Sequence, residues 1–289
     1  MSDAAPRPLI NIHAHRTTGA DLDASVEQWV ADGALRTCIA CLDPEWSRDG
    51  EMRFMTNEEL APQLERLSGH IIGMASVPPD AAGDARDLVD RRRDQGFRGL
   101  KMINPRFPYD DERFFGVYER AQALGMPVLF HTGLLGGYPG TALHRGGHCE
   151  FMRPWRLDHV ARRFPELRII GAHLGHPHQH EALKLIESYA NVWFDICGGS
   201  ASRRWGSEMK ARMAPFPGAD MADADENLAR GWFGKLVFGT DSATVPVWRE
   251  RAEDIMDYLR IPDGTRERFY LRNAAEIFGL EIPADRQEG

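Results

Sequence analysis

The chain has 289 residues, 43% of them hydrophobic and 27% charged, with a formal net charge of −8. This composition is typical of a soluble globular protein with a buried core, and the acidic charge argues against nucleic acid as a partner. No apolar stretch has the length of a signal peptide or of a membrane span, so we expect a cytoplasmic protein without a membrane partner.

Short apolar segments rich in β-branched residues recur along the chain, and this pattern predicts strands. Eight such segments cover residues 9–15, 36–43, 70–77, 97–103, 127–132, 167–173, 191–197 and 236–241. Patterns with a helical period lie at residues 56–67, 82–95, 111–124, 155–164, 181–189 and 247–259, and residues 265–280 predict one further helix. Gly96 and Gly125 directly follow two of these helices, where glycine often ends a helix.

The alternation of strands and helices predicts an α/β protein with a parallel sheet. Eight strand–helix units close naturally into a (β/α)8 TIM barrel, and such barrels reach this length as one domain. We therefore predict a single barrel domain over residues 1–289, with an extra C-terminal helix. The alternative is an open, doubly wound sheet; against it, no G-x-G-x-x-G motif follows the first strand.

The four cysteines form no recognisable disulfide framework. Cys38 and Cys41 have the C-x-x-C spacing, but no second pair accompanies them, and small or β-branched residues surround them. This context favours reduced core thiols in a reducing compartment over a redox or zinc site.

The first strand carries two histidines, His13 and His15, that strict alternation places on one side together with Asn11. Alternation places Ile10 and Ile12 on the opposite side. Two histidines on one strand are a weak signal by themselves, because ordinary polar residues produce the same pattern. They gain weight from four further polar residues at the ends of later strands: Lys101, His131, His173 and Asp241.

The active site of a TIM barrel lies at the C-terminal ends of its strands, so these six side chains are expected at one mouth. Each has an ordinary alternative. A buried histidine such as His131 is often a satisfied core residue, and Asp241 between Thr240 and Ser242 would suit the N-terminus of a helix.

Several segments in this order resemble the amidohydrolase superfamily: His13-Ala14-His15, Phe130-His131-Thr132-Gly133, Ile170-Gly171-Ala172-His173-Leu174-Gly175 and Phe238-Gly239-Thr240-Asp241. More closely, they resemble the amidohydrolase-related branch that includes aminocarboxymuconate-semialdehyde decarboxylase and γ-resorcylate decarboxylase. Residues 153–155, 164–170 and 273–275 resemble that branch too, so the resemblance covers nearly the whole chain.

The resemblance implies a mononuclear site in which His13, His15, His131 and Asp241 bind one divalent metal ion, zinc foremost and manganese as the other candidate. It places His173 beside the metal, where His173 and Asp241 would handle protons as catalytic residues. Three imidazoles and a carboxylate suit zinc or another borderline first-row ion, and an open coordination position would admit water or substrate.

Three further residues are expected to bind the substrate: Lys101, Arg106 and His176. A cationic Lys101 would hold a substrate carboxylate; the alternatives are a carboxylated lysine, as in binuclear members of the superfamily, and a plain salt bridge. The long loops after strands 5 and 7, with Tyr138 and with Arg203–Trp205, favour a small organic acid as the ligand.

The main interpretation is a metal-dependent hydrolase in which metal-activated water attacks a carboxylic ester, lactone or amide. The first alternative is a metal-dependent non-oxidative decarboxylase acting on an aromatic or muconate-like acid. The second is a barrel that binds a ligand without catalysis. The resemblance also suggests a homodimer.

Overall fold

The computed structural model describes residues 6–42, 54–80, 84–135, 148–198 and 231–282, and the loop positions Tyr138 and Arg203–Trp205 lie outside them. The described residues form eight parallel strands, each paired with the next in sequence. They are β1 (Leu9–Ala14), β2 (Ala34–Ala40), β3 (Ile71–Ser76), β4 (Gly99–Met102), β5 (Val128–Phe130), β6 (Ile169–Gly171), β7 (Val192–Asp195) and β8 (Leu236–Val237). The predicted order of strands is confirmed.

Backbone contacts between the end of β8 and β1 close the ring. Ala14 forms a parallel bridge with Asp241, and the Ile12 N–H donates to the Phe238 carbonyl oxygen at 2.9 Å. Further along, the His15 N–H donates to the Asp241 carbonyl oxygen at 2.9 Å. The predicted TIM barrel is therefore confirmed, and its first and last strands bring His15 and Asp241 side by side.

Helices follow the strands on the outside of the barrel. They are α1 (Leu22–Ala31), α2 (Asn57–Leu64), α3 (Ala85–Asp94), α4 (Phe115–Ala123), α5 (Arg156–Arg163), α6 (Gln179–Ser188), α7 (Val245–Tyr258), α8 (Asp263–Glu267) and α9 (Asn273–Phe278). The single helix predicted at 265–280 is divided: α8 and α9 are joined by a π-helix at Arg268–Arg272, and Gly279 ends α9 in the left-handed conformation. None of the described helices is long and apolar enough to cross a membrane.

Most of the buried apolar residues belong to two layers. The larger layer lies between the strands and the surrounding helices. The smaller one fills the barrel interior with residues from most strands, among them Ile72, Leu129, Trp193 and Val237, and it continues into Leu271 and α9. The C-terminal helix thus closes the lower end of the barrel, and the polar residues collect at the opposite end. Cys38 and Cys41 are buried free thiols, which agrees with their predicted place in the core, and Cys197 is a buried free thiol too.

A bulge in β1 interrupts the alternation predicted for that strand. Ile10 and Ile12 pack in the interior layer, although alternation placed them opposite the histidines. The register between β1 and β2 shifts between Asn11 and Ala14, where β1 advances by one residue more than its partner. An extra residue turns the side chains that follow it to the opposite face of the strand, so His13 also points to the barrel interior.

Candidate functional site

The polar residues predicted at the strand ends lie together at the mouth of the barrel. His13 contacts His15 (Nε2 to Nε2, 3.1 Å) and Lys101 (Nε2 to Nζ, 3.3 Å). Asp241 Oδ1 lies 3.5 Å from His15 Nε2. His173 Nε2 lies 3.2 Å from His131 Nδ1, and the rings of His13 and His173 are 5.3 Å apart.

His13 and His15 each have one ring nitrogen bonded to an acceptor. His13 Nδ1 lies 2.8 Å from Asp195 Oδ2, and His15 Nδ1 lies 2.8 Å from the Ala40 carbonyl oxygen. A carboxylate and a carbonyl oxygen only accept hydrogen bonds, so Nδ1 carries the proton in both rings. In the neutral imidazoles, both Nε2 atoms therefore present lone pairs, and these face each other.

Burial keeps these imidazoles neutral. It lowers the pKa of His13 and of His131 well below the ordinary value of 6.5, and it lowers the pKa of His15 to about 3. The positive charge of Lys101 lowers all three further. Two facing lone pairs repel unless a cation lies between them, so this donor set fits a metal ion.

The spacing of the donor atoms fits the same conclusion. His13, His15 and Asp241 each offer one ligand atom, and these atoms lie within 4.8 Å of one another. In a tetrahedral site with ligands about 2.0–2.1 Å from zinc, neighbouring donor atoms lie about 3.3 Å apart. The measured separations of 3.1 Å and 3.5 Å lie on either side of that value.

Asp241 reaches the histidines because the backbone turns sharply after β8. Its φ is +54°, in the left-handed region that non-glycine residues seldom adopt. The backbone N–H groups of Thr240 and Asp241 both donate to the His13 carbonyl oxygen at 2.8 Å, which fixes this turn against β1.

His131 and His173 form a second pair on the other side of the mouth. His131 Nε2 is bonded to the Leu134 carbonyl oxygen (3.3 Å) and His173 Nδ1 to the Cys197 carbonyl oxygen (2.5 Å), so the outer nitrogens carry protons. The inner nitrogens face each other. His131 is outside the three-residue group of potential ligands, and its predicted role as a ligand stays a prediction.

Lys101 is fully buried at the end of β4. Burial lowers its pKa from 10.5 to about 8, and the carboxylates of Asp195 and Asp241 partly oppose that shift. Its ammonium group therefore still carries a charge at pH 7. A buried cation beside His13 is available to bind an anionic group.

The other two predicted substrate residues, Arg106 and His176, follow β4 and β6 in the chain, and the His176 backbone N–H donates to the His173 carbonyl oxygen at 3.0 Å. Arg106 is exposed, and its backbone N–H donates to the Pro79 carbonyl oxygen at 2.8 Å. His176 is half-buried, with Nδ1 2.9 Å from Gln179 Nε2. Their substrate-binding roles stay predictions.

Sequence reasoning missed three site residues at the end of β7: Asp195, Cys197 and Gly198. Asp195 bonds to His13, and a Cβ atom on Gly198 would lie 2.3 Å from Asp241 Oδ2 and 2.6 Å from the His173 ring. The signal for Asp195 was present, because it is a carboxylate at a strand end like the residues that were singled out. Its partner His13 lies 182 positions away, too far in sequence for the contact to be recognised.

We compared the chain with family models, curated proteins and solved structures. The family model described as "Amidohydrolase" (Amidohydro_2) matches residues 43–280. No curated protein matches the sequence. Solved structures do match, and the three described next are 13–14% identical to this chain.

Three of these structures illustrate the range of enzymes that share the fold. A probable 2-pyrone-4,6-dicarboxylic acid hydrolase from Acinetobacter baumannii, with citric acid bound, is 14% identical with a TM-score of 0.57, over 94% of this chain and 99% of that one. A 2,6-dihydroxybenzoate decarboxylase in complex with 2,6-dihydroxybenzoate is 13% identical with a TM-score of 0.59, over 94% and 99%. 5-Carboxyvanillate decarboxylase from Sphingomonas paucimobilis is 14% identical with a TM-score of 0.57, over 91% and 84%.

At these identities, the solved structures share the barrel fold with this chain. The family model covers most of the sequence, including His131, His173 and Asp241 at the mouth. The chain therefore belongs to the amidohydrolase family of metal-dependent enzymes.

Proposed function

We propose that the chain is a hydrolase that adds water to a carboxylic ester, lactone or amide of a small organic acid, with one divalent ion bound by His13, His15 and Asp241. The observation that carries the proposal is the pair of Nε2 atoms facing each other at 3.1 Å, with a carboxylate oxygen 3.5 Å from one of them. Three donors of this kind leave a coordination position for water or substrate.

Zinc is the proposed ion, with manganese as the second choice, because neutral imidazoles and one carboxylate suit zinc. His131 is proposed as a fourth ligand on the resemblance alone; water or substrate would then take a fifth position, because zinc can expand its coordination to five. When bound, such an ion polarises a carbonyl group and lowers the pKa of water.

Two groups are proposed to move protons. Asp241 has a side chain that is 24% exposed, so its carboxylate can accept a proton from attacking water. His173 donates through Nδ1 to the Cys197 carbonyl oxygen, which leaves Nε2 as the nitrogen that can accept a proton and return it to the leaving group.

Lys101 is proposed to bind a carboxylate of the substrate. Its Nζ now contacts His13 Nε2, the same lone pair that a metal ion would take. Metal binding would release the ammonium group for another anion, and a buried ammonium prefers a compensating charge. Arg106 and His176 remain candidates for the outer part of the substrate. The acids named for two solved structures, citric acid and 2,6-dihydroxybenzoate, support a small carboxylic acid as the ligand.

A second candidate is a metal-dependent non-oxidative decarboxylase. The observation in its favour is Lys101, because a buried cation beside the metal ligands would also orient a carboxylate that leaves as carbon dioxide. The same histidines and Asp241 serve both reactions, so the residues at the mouth do not choose between them.

Product analysis separates the two reactions. The purified protein, loaded with zinc or manganese, would be incubated with a panel of lactones, esters, amides and hydroxybenzoates in water enriched in ¹⁸O. We expect one ¹⁸O atom in the acid product and no release of carbon dioxide. Carbon dioxide release without addition of water would reject hydrolysis in favour of decarboxylation.

Metal analysis tests the ligand set independently of any substrate. We expect about one divalent ion per chain after purification or after addition of zinc. A protein that binds neither zinc nor manganese would reject the metal-dependent proposal.

A further inference from the structure

Asp195, at the end of β7, is hydrogen-bonded both to His13, a proposed metal ligand, and to His173, the proposed proton-transfer group. Its side chain is fully buried, and so is the side chain of His13 that it contacts. A buried carboxylate is costly unless hydrogen bonds satisfy it, so its partners indicate what it is for.

Four donors point at this carboxylate. Oδ2 accepts from His13 Nδ1 at 2.8 Å. Oδ1 accepts from the backbone N–H groups of His173 (2.8 Å) and Cys197 (3.1 Å), and from the Cys197 thiol (3.2 Å). Burial raises the pKa of that thiol well above its ordinary value, so it stays protonated and can donate.

The donors rule out a simpler interpretation of the same cluster. His13, His173, Asp195 and Cys197 each offer a potential ligand atom within 4.8 Å of the others, as a second metal site would. In this arrangement, however, protons on His13 Nδ1, on Cys197 and on two backbone nitrogens occupy the oxygens of Asp195. The carboxylate is satisfied by the protein and does not need a cation.

We propose that Asp195 is a positioning residue that sets two histidines at once: its Oδ2 fixes the ring of His13 and its Oδ1 fixes the backbone of His173. The inference rests on the proposed function, because it assigns a purpose to the orientation of a metal ligand and of a proton-transfer group.

The effect on His13 is a choice of tautomer. Because Asp195 only accepts, Nδ1 is held protonated and Nε2 keeps the lone pair that faces His15 Nε2. A carboxylate behind a metal-binding imidazole also makes the imidazole more basic and fixes the plane of its ring.

Asp195 acts on His173 by holding its backbone in an unusual conformation. His173 has a φ of +62°, and Leu174 after it has a φ of +45°. Two successive non-glycine residues in the left-handed region are strained, and surrounding contacts must hold them there. The His173 N–H bond to Asp195 Oδ1 is such a contact, and it directs the imidazole to the mouth of the barrel.

Asp195→Asn tests the proposal at almost constant volume. If the amide oxygen keeps the backbone donors of His173 and Cys197, the amide NH₂ group must face His13 Nδ1. Two donors cannot pair, so His13 is expected to move its proton to Nε2 and lose the lone pair that binds metal. We expect zinc affinity to fall by about 10–100-fold, the usual effect of removing such a partner.

Three readouts are combined. Zinc affinity is measured by chelator competition, the tautomer of His13 by ¹⁵N NMR of the imidazole nitrogens in metal-free protein, and folding by thermal denaturation. Asn273→Asp is the matched control, because Asn273 is a fully buried amide that bonds to the Leu236 carbonyl oxygen at the lower end of the barrel. Asn273→Asp exchanges an amide for a carboxylate, the reverse of Asp195→Asn, and it does so far from the metal ligands. It should therefore lower stability without changing zinc affinity or the His13 tautomer.

Wild-type affinity for zinc in Asp195→Asn would overturn the proposal, as would an equal loss of affinity in both variants, since that loss would reflect stability alone. If Asp195→Asn does not fold, the wild-type spectrum decides: a His13 protonated at Nε2 would overturn the proposal. Failure of the proposed function is a separate result, because wild-type protein without metal or turnover still reports the tautomer that Asp195 imposes.

Discussion

The mouth of the barrel contains two pairs of histidines built on the same plan. In each pair the outer nitrogens are bonded to acceptors: Asp195 and the Ala40 carbonyl for His13 and His15, and the carbonyls of Leu134 and Cys197 for His131 and His173. The inner nitrogens face each other at 3.1 Å and 3.2 Å.

The pairs differ in what lies beside the inner nitrogens. Asp241 Oδ1 is 3.5 Å from the inner nitrogen of His15. In the part of the chain that the structure describes, no carboxylate lies within 4 Å of the inner nitrogens of the second pair. A negative charge beside the donor atoms balances the charge of a divalent ion. The comparison supports the proposal that His13, His15 and Asp241 bind the metal ion and that His173 transfers protons.

Asp241→Ala should have the largest effect, because it removes the feature that distinguishes the first pair. We expect zinc content to fall to a small fraction and turnover to be lost with it, since losing a metal ligand costs more affinity than losing a hydrogen-bond partner of a ligand, which costs about 10–100-fold. Metal analysis and turnover are the measurements, with Asp263→Ala as the control, because the Asp263 side chain is 84% exposed. Full zinc content in Asp241→Ala would remove the distinction between the pairs.

His173→Ala tests the second pair and should separate turnover from metal binding. We expect zinc content near that of the wild type, with a fall in kcat of about 10²–10⁴-fold, the usual contribution of a general acid or base. His180→Ala is the control, since His180 is an exposed histidine of α6. Unchanged turnover in His173→Ala would exclude the proposed role, and loss of zinc would place His173 among the ligands.

Gly198→Ala acts where the two pairs approach each other. Gly198 has a φ of +72°, and an added Cβ would lie within 2.6 Å of both Asp241 and the His173 ring. A displacement of about 1 Å in a site can cost about 10²-fold in rate, so we expect kcat/KM to fall by that order. Gly69→Ala is the control, because a Cβ there meets nothing within 4 Å. Wild-type kinetics in Gly198→Ala would mean that these groups do not have to stay where the structure places them.

The location of most of these polar residues at one mouth was predictable. Strand periodicity can be recognised in a short stretch of sequence, and the position of the strand ends follows from the barrel topology. A polar residue at the end of a buried strand, such as His131, must lie at the same mouth as the others once the strands are parallel. The alternation in β1 failed at Ile12 because a bulge depends on pairing with β2, which the sequence of β1 does not contain.

The role of Asp195 was not predictable for a related reason. Its contact with His13 joins residues 182 positions apart, and the protonation of His13 follows from that contact. Residue types indicated which side chains could bind a metal. Which nitrogen of each ring is available is set by hydrogen-bond acceptors, such as the Ala40 carbonyl, that any sequence would provide.

The smallest expected effect concerns the pH dependence of metal binding, and it also depends on the burial of the first pair. Protons compete with zinc for imidazole nitrogen, so two histidines with an ordinary pKa near 6.5 would lose about a hundredfold in affinity by pH 5.5. Burial lowers the pKa of His13 well below 6.5 and that of His15 to about 3, so both stay neutral at pH 5.5 and the competition begins only at lower pH. We expect zinc affinity, measured by chelator competition, to change by less than about threefold between pH 7.5 and 5.5. A loss of about a hundredfold by pH 5.5 would instead mean that water reaches both rings, and the case for a cation between their facing lone pairs would lose its basis.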